Sequence, residues 1–379
     1  MIFYIGVFGI LAILSFFEIF TNIGYFKKVL EYAVVLSGIF ISSIRCGVAG
    51  DYEAYKLVFE QTNININVFK AITTLNTHNT EIVYNLLNYV VKYFGGNYQS
   101  LIFVEALLVN LMLYIFTKWF FKSNEIFHGK DYTISIYWLM WGFGLYNIVI
   151  VRQTISVMVC WLSIRFILKK KFKPFCLYVV VASLIHRASV LWIIAYFIFN
   201  INTNENENKR MKYVLKVIFI VIVGICGIDL FASFLPGMLG VKLRLYLNEG
   251  LKSYGESYSV TFLILKSLIN VGVLAIVFII LYKYCNKNVK YAGFFNLYII
   301  GAAIIIVSSF TSNELARAAT PFSMLSVFMI LYLFRIDGNL KTVLLYYNGV
   351  AAYTLLRLLV SINGSALSSG YKNIYNLWM

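Results

Sequence analysis

Apolar runs close to the ~20 residues that cross a hydrocarbon core of ~30 Å recur along the chain. They fall at 2–20, 30–46, 99–117, 133–151, 153–168, 213–235, 260–282, 291–310, 318–334 and 342–361. The pattern predicts ten spanning helices, hence an all-α polytopic membrane protein built as a single integral membrane domain. A long polar stretch, 47–98, separates the second run from the third and holds Asp51, Glu53, Glu60 and His78. Within it, residues 81–94 alternate at helical spacing, with Ile82, Leu86, Tyr89, Val90 and Phe94 set against Asn85, Asn88 and Lys92. That spacing predicts an amphipathic helix lying on or in the membrane face. The first run lacks a basic leader and a small-residue cleavage site, so it reads as a span and not as a removed signal. No internal repeat stands out.

Composition narrows the class. The 379 residues are 61% hydrophobic and 13% charged, where a soluble protein has roughly 45–50% and about 25%. A soluble enzyme is excluded, because so much apolar surface needs lipid to cover it. With 32 basic against 16 acidic residues the net charge is +16, yet charges are too few for a nucleic-acid-binding face. Basic excess at high hydropathy is the mark of a bilayer protein with basic cytoplasmic loops. The cysteines (Cys46, Cys160, Cys176, Cys226, Cys285) are scattered and share no ligand spacing with histidine, so neither a disulfide framework nor a metal or other cofactor is indicated.

Loop charges set the orientation. Lys27/Lys28, the lysines of 169–173, Lys209-Arg210-Met211-Lys212, Lys283/Lys287/Lys290 and Arg335/Lys341 are expected on the cytoplasmic side. Walking the spans from there puts loops 47–98 and 236–258, the turn at Arg152, the turn 311–316 and both termini outside. One segment, 174–199, lies between two basic stretches and has His186-Arg187 at its middle. A single crossing would place the second basic stretch outside and bury the charged pair at the costliest depth. Each arm is roughly 17 Å long at 1.5 Å per residue, about half a bilayer. A re-entrant helical hairpin with His186 and Arg187 at its tip meets both constraints, and it requires a water-filled cavity there. The alternative is one long tilted span that violates the charge rule locally.

Basic residues on the outer side then need a reason: Arg45, Arg152, Arg187 and Arg317, with Arg244 and Arg357 further cases. Each alone could snorkel to lipid headgroups. Together they could converge on an anion, and several planar guanidinium forks suit a diphosphate. His186, beside guanidinium groups that disfavour a second positive charge, would be neutral and able to accept a proton. His78 and His128 read as solvated loop residues. The external carboxylates are Asp51, Glu53, Glu81 and Glu314, and Tyr52 and Tyr55 follow Asp51 closely enough to fold over a cavity mouth. Glu18, Glu105 and Asp229 lie inside spans; for Glu105 an arginine partner and an interhelical hydrogen bond both remain open.

Three stretches carry a resemblance. The run from Arg45 through Gly47, Asp51 and Tyr52 to Tyr55 resembles the R-x-G-x-x-x-D-Y-x-x-Y stretch of EpsG-type, Wzy-like polysaccharide polymerases. Arg152-Gln153-Thr154-Ile155-Ser156 is similar to that family's "RQ" entry to a span, and Ala182 to Val190, around His186, is similar to its histidine signature. Arg187 departs from the pattern, since a small or polar residue is commoner after the histidine. Glu81 and Arg317 sit where the family has such residues. The resemblance implies a GT-C-like, metal-independent glycosyltransferase in the bacterial cytoplasmic membrane. It would join oligosaccharide repeat units, carried on a polyprenyl diphosphate, at the outer face. It implies His186 and Asp51 as catalytic, and Arg45, Arg152, Arg187, Arg317, Glu81, Tyr52 and Tyr55 as substrate-binding. A flippase and a chain-length regulator are the protein partners it implies. The rival reading is a lipid-linked glycan flippase, which would favour matched cations in two repeated halves.

Overall fold

In a computed structural model the structure describes residues 2–21, 24, 26–44, 52–73, 80–143, 151–201, 207–234, 268–285, 288–310, 313–336 and 339–363. Among these no strand occurs and helices dominate. Among the described residues, four helices are long and apolar enough to cross a membrane: Ile2–Phe20, Tyr98–Ser123, Val289–Ser308 and Ala316–Arg335. The chain divides into two compact units. The first comprises Met1–Leu162, Val180–Arg187 and Leu333–Met379; the second comprises Ser163–Val179 and Ala188–Tyr332.

The first unit opens with α1 (Ile2–Phe20) and α2 (Phe26–Ser43). The polar stretch expected outside the membrane folds into three short helices, α3 (Tyr52–Gln61), α4 (Val68–Thr73) and α5 (Ile82–Tyr93). They lead to the long α6 (Tyr98–Ser123) and then α7 (Thr133–Gly142). Phe59 and Val91 close a small apolar core on Tyr98, Leu101 and Ile102 at the start of α6, with Tyr52, Tyr55 and Leu87 packed against it. The Lys92 ammonium donates to the carbonyls of Phe59, Glu60 and Thr62 at 3.2, 2.6 and 2.7 Å. It so satisfies the orphan acceptors at the C-terminal end of α3 and the negative end of its dipole. Gly95 ends α5 at φ +76°, and the N–H groups of Gly95 and Gly96 return to Lys92 and Val91 at 3.0 and 2.9 Å. This is a Schellman stop that needs a left-handed residue.

The two faces of α5 divide in an unusual way. Tyr84, Asn85, Asn88 and Val91 are buried, whereas Ile82, Leu86, Val90 and Tyr93 are exposed. The inward amides are hydrogen-bonded: Asn85 donates to Ile72 and Thr80 carbonyls at 3.0 and 3.2 Å, and Asn88 donates to the Tyr84 carbonyl at 2.7 Å.

Elsewhere in this unit α1 packs on α7, with Ser15 donating to Ser135 at 2.8 Å and the Trp141 indole donating to the Tyr4 carbonyl at 3.0 Å. An added Cβ at Gly142 would lie 2.7 Å from the Thr354 Cβ, so only glycine permits that close approach. α8 (Val151–Leu168) follows, and the unit boundary passes through it.

The segment after α8 runs as α9 (Phe172–Ile185), His186, a 3₁₀ stretch Arg187–Ile194 and α10 (Ala195–Phe199). The α-helical pattern ends at His186, whose N–H still donates to the Ala182 carbonyl at 2.9 Å. A 14-residue helix is about 21 Å long, too short to cross. The chain then doubles back, since the rings of Phe172 and Phe175 lie 4.9 and 5.3 Å from that of Tyr196. The returning arm is pinned by Trp192, fully buried, whose indole donates to Ser163 at 2.9 Å. Eight residues is a long 3₁₀ run for a form usually confined to three or four.

The second unit is built around α11 (Glu207–Phe234), α12 (Val273–Cys285), α13 (Val289–Phe310) and α14 (Asn313–Ser323). The Asn296 amide donates to the carbonyls of Ile198 and Ile201, and Tyr213 donates to the Asn296 carbonyl. At Gly301 an added Cβ would meet the Phe322 Cβ at 2.7 Å and the Ser323 nitrogen at 2.8 Å, so α13 and α14 cross in near backbone contact. Pro321 lies inside α14, and regular helix gives way to a turn within a few residues.

Candidate functional site

One group of charged side chains in the first unit meets on Glu81. This residue precedes α5 in extended backbone (φ −77°, ψ 156°), and its carboxylate does not cap its own helix. It turns instead to two arginines. Arg152, in the first turn of α8, donates through Nη1 to Glu81 Oε2 at 2.5 Å. Arg187, just past the break in α9, donates its backbone N–H to Oε1 at 3.1 Å and its Nε to the same oxygen at 3.4 Å. The His186 Nδ1 lies 3.9 Å from that oxygen. One carboxylate therefore ties together the entry to α5, the entry to α8 and the turn after α9.

Aromatic rings hold Arg152 from the other side. Its guanidinium carbon sits 4.9 Å from the Tyr55 ring centre and 5.5 Å from that of Tyr84. Its Nη2 also donates to the Tyr55 hydroxyl at 2.8 Å. The Tyr52 ring meets Tyr98 edge to face at 5.2 Å, so Tyr52 props the small core while Tyr55 reaches the arginine.

Exposure grades the cluster. The side chains of Arg152, Glu81 and His186 are 13, 11 and 8% exposed, whereas that of Arg187 is 67% exposed. Burial works against charge on Glu81, but the Arg152 guanidinium and the Arg187 N–H outweigh it and hold the carboxyl below its ordinary value. Among the described residues, two guanidinium groups face this one carboxylate, and guanidinium forks suit an anionic ligand.

Of the residues expected to act together, Glu81, Arg152, Arg187, His186 and Tyr55 do meet. Arg317 is exposed on α14, in the second unit. Arg45 and Asp51 lie outside the described residues, as do His78, Arg244 and the loop 236–258. Sequence reasoning left Tyr84 unnamed, although it lies only three residues after Glu81. It also did not pair Glu81 with His186.

A second acidic group could attract a cation, because ligand atoms of Glu18, Glu31 and Asp131 all lie within 4.8 Å of one another. These oxygens already have partners. Lys118 reaches both Glu31 and Asp131, Lys27 lies 3.9 Å from Glu18, and Glu18 accepts from the backbone N–H groups of Ile134 and Ser135 at 3.1 and 2.8 Å. That arrangement caps α7 and ties α1, α2 and α6 to it.

Fold and cluster together define an all-helical protein of the membrane-spanning type, with a cationic site assembled where helices begin and break. The chain belongs to the EpsG family, a Wzy-like polymerase family, whose model matches residues 28–376. No curated protein matches it. No solved structure matches it either.

Proposed function

We propose that the protein is a glycosyltransferase that polymerises surface polysaccharide. In this reading it joins oligosaccharide repeat units carried on a polyprenyl diphosphate, at the outer face of the cytoplasmic membrane. Ten helices span the bilayer and 174–199 re-enters from the cytoplasmic side. The observation that carries the reading is the Glu81 bridge between Arg152 and Arg187, with His186 beside it, because it puts two guanidinium groups next to an imidazole that can accept a proton. The doubling back of 172–199 supports a re-entrant tip at His186.

A hydroxyl of the acceptor unit attacks the anomeric carbon of the donor's reducing-end sugar. The bond from that carbon to the diphosphate oxygen breaks, and the polyprenyl diphosphate departs with the electron pair. Arg187, the exposed guanidinium, and Arg152 behind it stabilise the charge that develops on the leaving group. His186 takes the hydroxyl proton, and Glu81 faces the imidazole and steadies it once it is charged. Asp51, Arg45, Arg317 and Tyr52 keep the roles that the family pattern implies, as catalytic carboxylate, phosphate ligands and mouth residue. Guanidinium groups fill the part that a divalent cation plays elsewhere.

The test is made in the native host. Arg152→Ala and His186→Ala should each leave a single repeat unit on the lipid carrier, on the outer leaflet, with no polymer. Accumulation of units on the cytoplasmic leaflet would instead point to a flippase and overturn the reading.

A further inference from the structure

The apolar side of α5 starts at the guanidinium cluster. Ile82 directly follows Glu81, and Leu86 and Val90 repeat at intervals of four residues, with Tyr93 closing the row. All four side chains are exposed. Over a 12-residue helix the row is about 18 Å long. Its neighbour α3 turns a different face outward. There Glu53, Glu60 and Gln61 are exposed, and Lys56 pairs with Glu60 at 4.0 Å. One helix of this layer suits water and the other suits hydrocarbon.

Apolar side chains are also exposed on the other side of the Glu81 carboxylate. Leu184 lies three residues before Arg187, and Val180 and Val181 are exposed with it. The Arg187 guanidinium, itself 67% exposed, therefore stands between apolar surfaces. A small hydrophilic anion would leave those surfaces in water. An anion that carries a hydrocarbon chain uses both parts, because the guanidinium takes phosphate oxygens and the row shields the chain. Ile82, Leu86 and Val90 have no polar side-chain atom, so the row cannot answer the hydroxyls of a glycan. Seating the whole layer in bulk lipid would need an apolar face on α3 as well, and α3 presents charge.

We propose that Ile82, Leu86, Val90 and Tyr93 form the docking surface for the polyprenyl chain of the substrate whose diphosphate meets Arg187. The inference rests on the polymerase reading of the cluster and adds to it a means of selecting long-chain carriers. A chain that ends before Leu86 gains nothing from the rest of the row.

The experiment uses the full-length enzyme in liposomes, with rates normalised to enzyme counted by immunoblot. The substrate is repeat units on their natural long polyprenyl diphosphate, extracted from a host strain that lacks this polymerase. The competitor is the same unit on a diphosphate bearing a single prenyl group, its affinity read as Ki. Variant-to-wild-type ratios cancel partition into the bilayer. Leu86→Ser and Val90→Ser should each raise KM for the long carrier about fivefold, the scale of one partly covered apolar side chain, with kcat and the short carrier's Ki within about twofold. Leu86→Met keeps the apolar area and should restore KM. Leu36→Ser, on the exposed side of α2, should leave both ratios at the wild-type value. Equal shifts for the two carriers, no shift for either, or less enzyme with an unshifted KM would each overturn the docking surface. A wild-type rate in Arg152→Ala sinks the polymerase reading and the inference with it. A dead Arg152→Ala beside unshifted Leu86→Ser and Val90→Ser sinks the inference alone.

Discussion

Toward the end of α6, Lys118 holds Glu31 and Asp131 while Lys27 and the first amides of α7 answer Glu18. Toward its start, Glu81 holds Arg152 and Arg187 beside His186. Both clusters are largely buried ion networks made from residues far apart in sequence, yet their balances differ. In the Lys118 cluster three carboxylates meet two ammonium groups, and the surplus negative charge is taken up by backbone donors at a helix N-terminus. In the Glu81 cluster, among the described residues, two guanidinium groups share one carboxylate and one of them is largely exposed. A closed network fastens helices together, whereas an open one can trade part of its pairing for an incoming anion.

The largest effect should separate the two by kind. Arg152→Ala is expected to lower the polymerisation rate about 10²–10³-fold, the scale of a lost transition-state donor, with near-normal amounts of protein in the membrane. Lys118→Met should do the reverse. It strands the buried Glu31 carboxylate at about 3 kcal/mol, so immunoblots show less protein while turnover per molecule stays intact. Equal losses of turnover in both variants would erase the distinction.

Glu81→Gln comes next, since it frees Arg152 and unlatches the turn at Arg187. We expect about a tenfold loss of turnover together with a lower thermal midpoint. The pH dependence has a definite sign. The Glu81 carboxyl is held below its ordinary value of 4.5, so its stabilisation is present above that pH and is lost as pH falls through the lower folded-state value. The gap in thermal midpoint between wild type and Glu81→Gln should therefore be steady above pH 4.5 and close below it. A gap that widens in acid would contradict the assignment.

Lys92→Met should cost about 1–2 kcal/mol, because it leaves three helix-end carbonyls without their charged donor. Faster proteolysis within 52–93 would report it. The smallest effect is a calibration away from both clusters. Lys170 stands at φ +53° in the turn after α8, and Lys170→Gly should raise stability by up to about 1 kcal/mol by relieving that strain, read as a small rise in thermal midpoint.

Much of this architecture was readable from hydrophobic runs alone, because an apolar stretch of membrane length leaves its backbone few options other than helix. Where their residues are described the runs are mainly helical, with turns at 324–325 and 331–332 interrupting 318–334. The helix at 82–93 and the interruption at His186 were equally legible, one from helical spacing and the other from a charged pair in an apolar arm. Partners were not. Arg152 was expected to point at an anion shared with other arginines, and within the protein that anion is Glu81.

The linear chain thus determined which segments are helical, where charge is too expensive to be incidental, and that the protein suits lipid. Those properties follow from local runs of side chains exchanged between water and hydrocarbon. Which carboxylate answers which arginine depends on segments 71 and 106 residues apart arriving within hydrogen-bond reach. Only the packing of α3, α5 and α6 decides that, since a charge pair is set by distance and burial, and neither is written in the order of the residues.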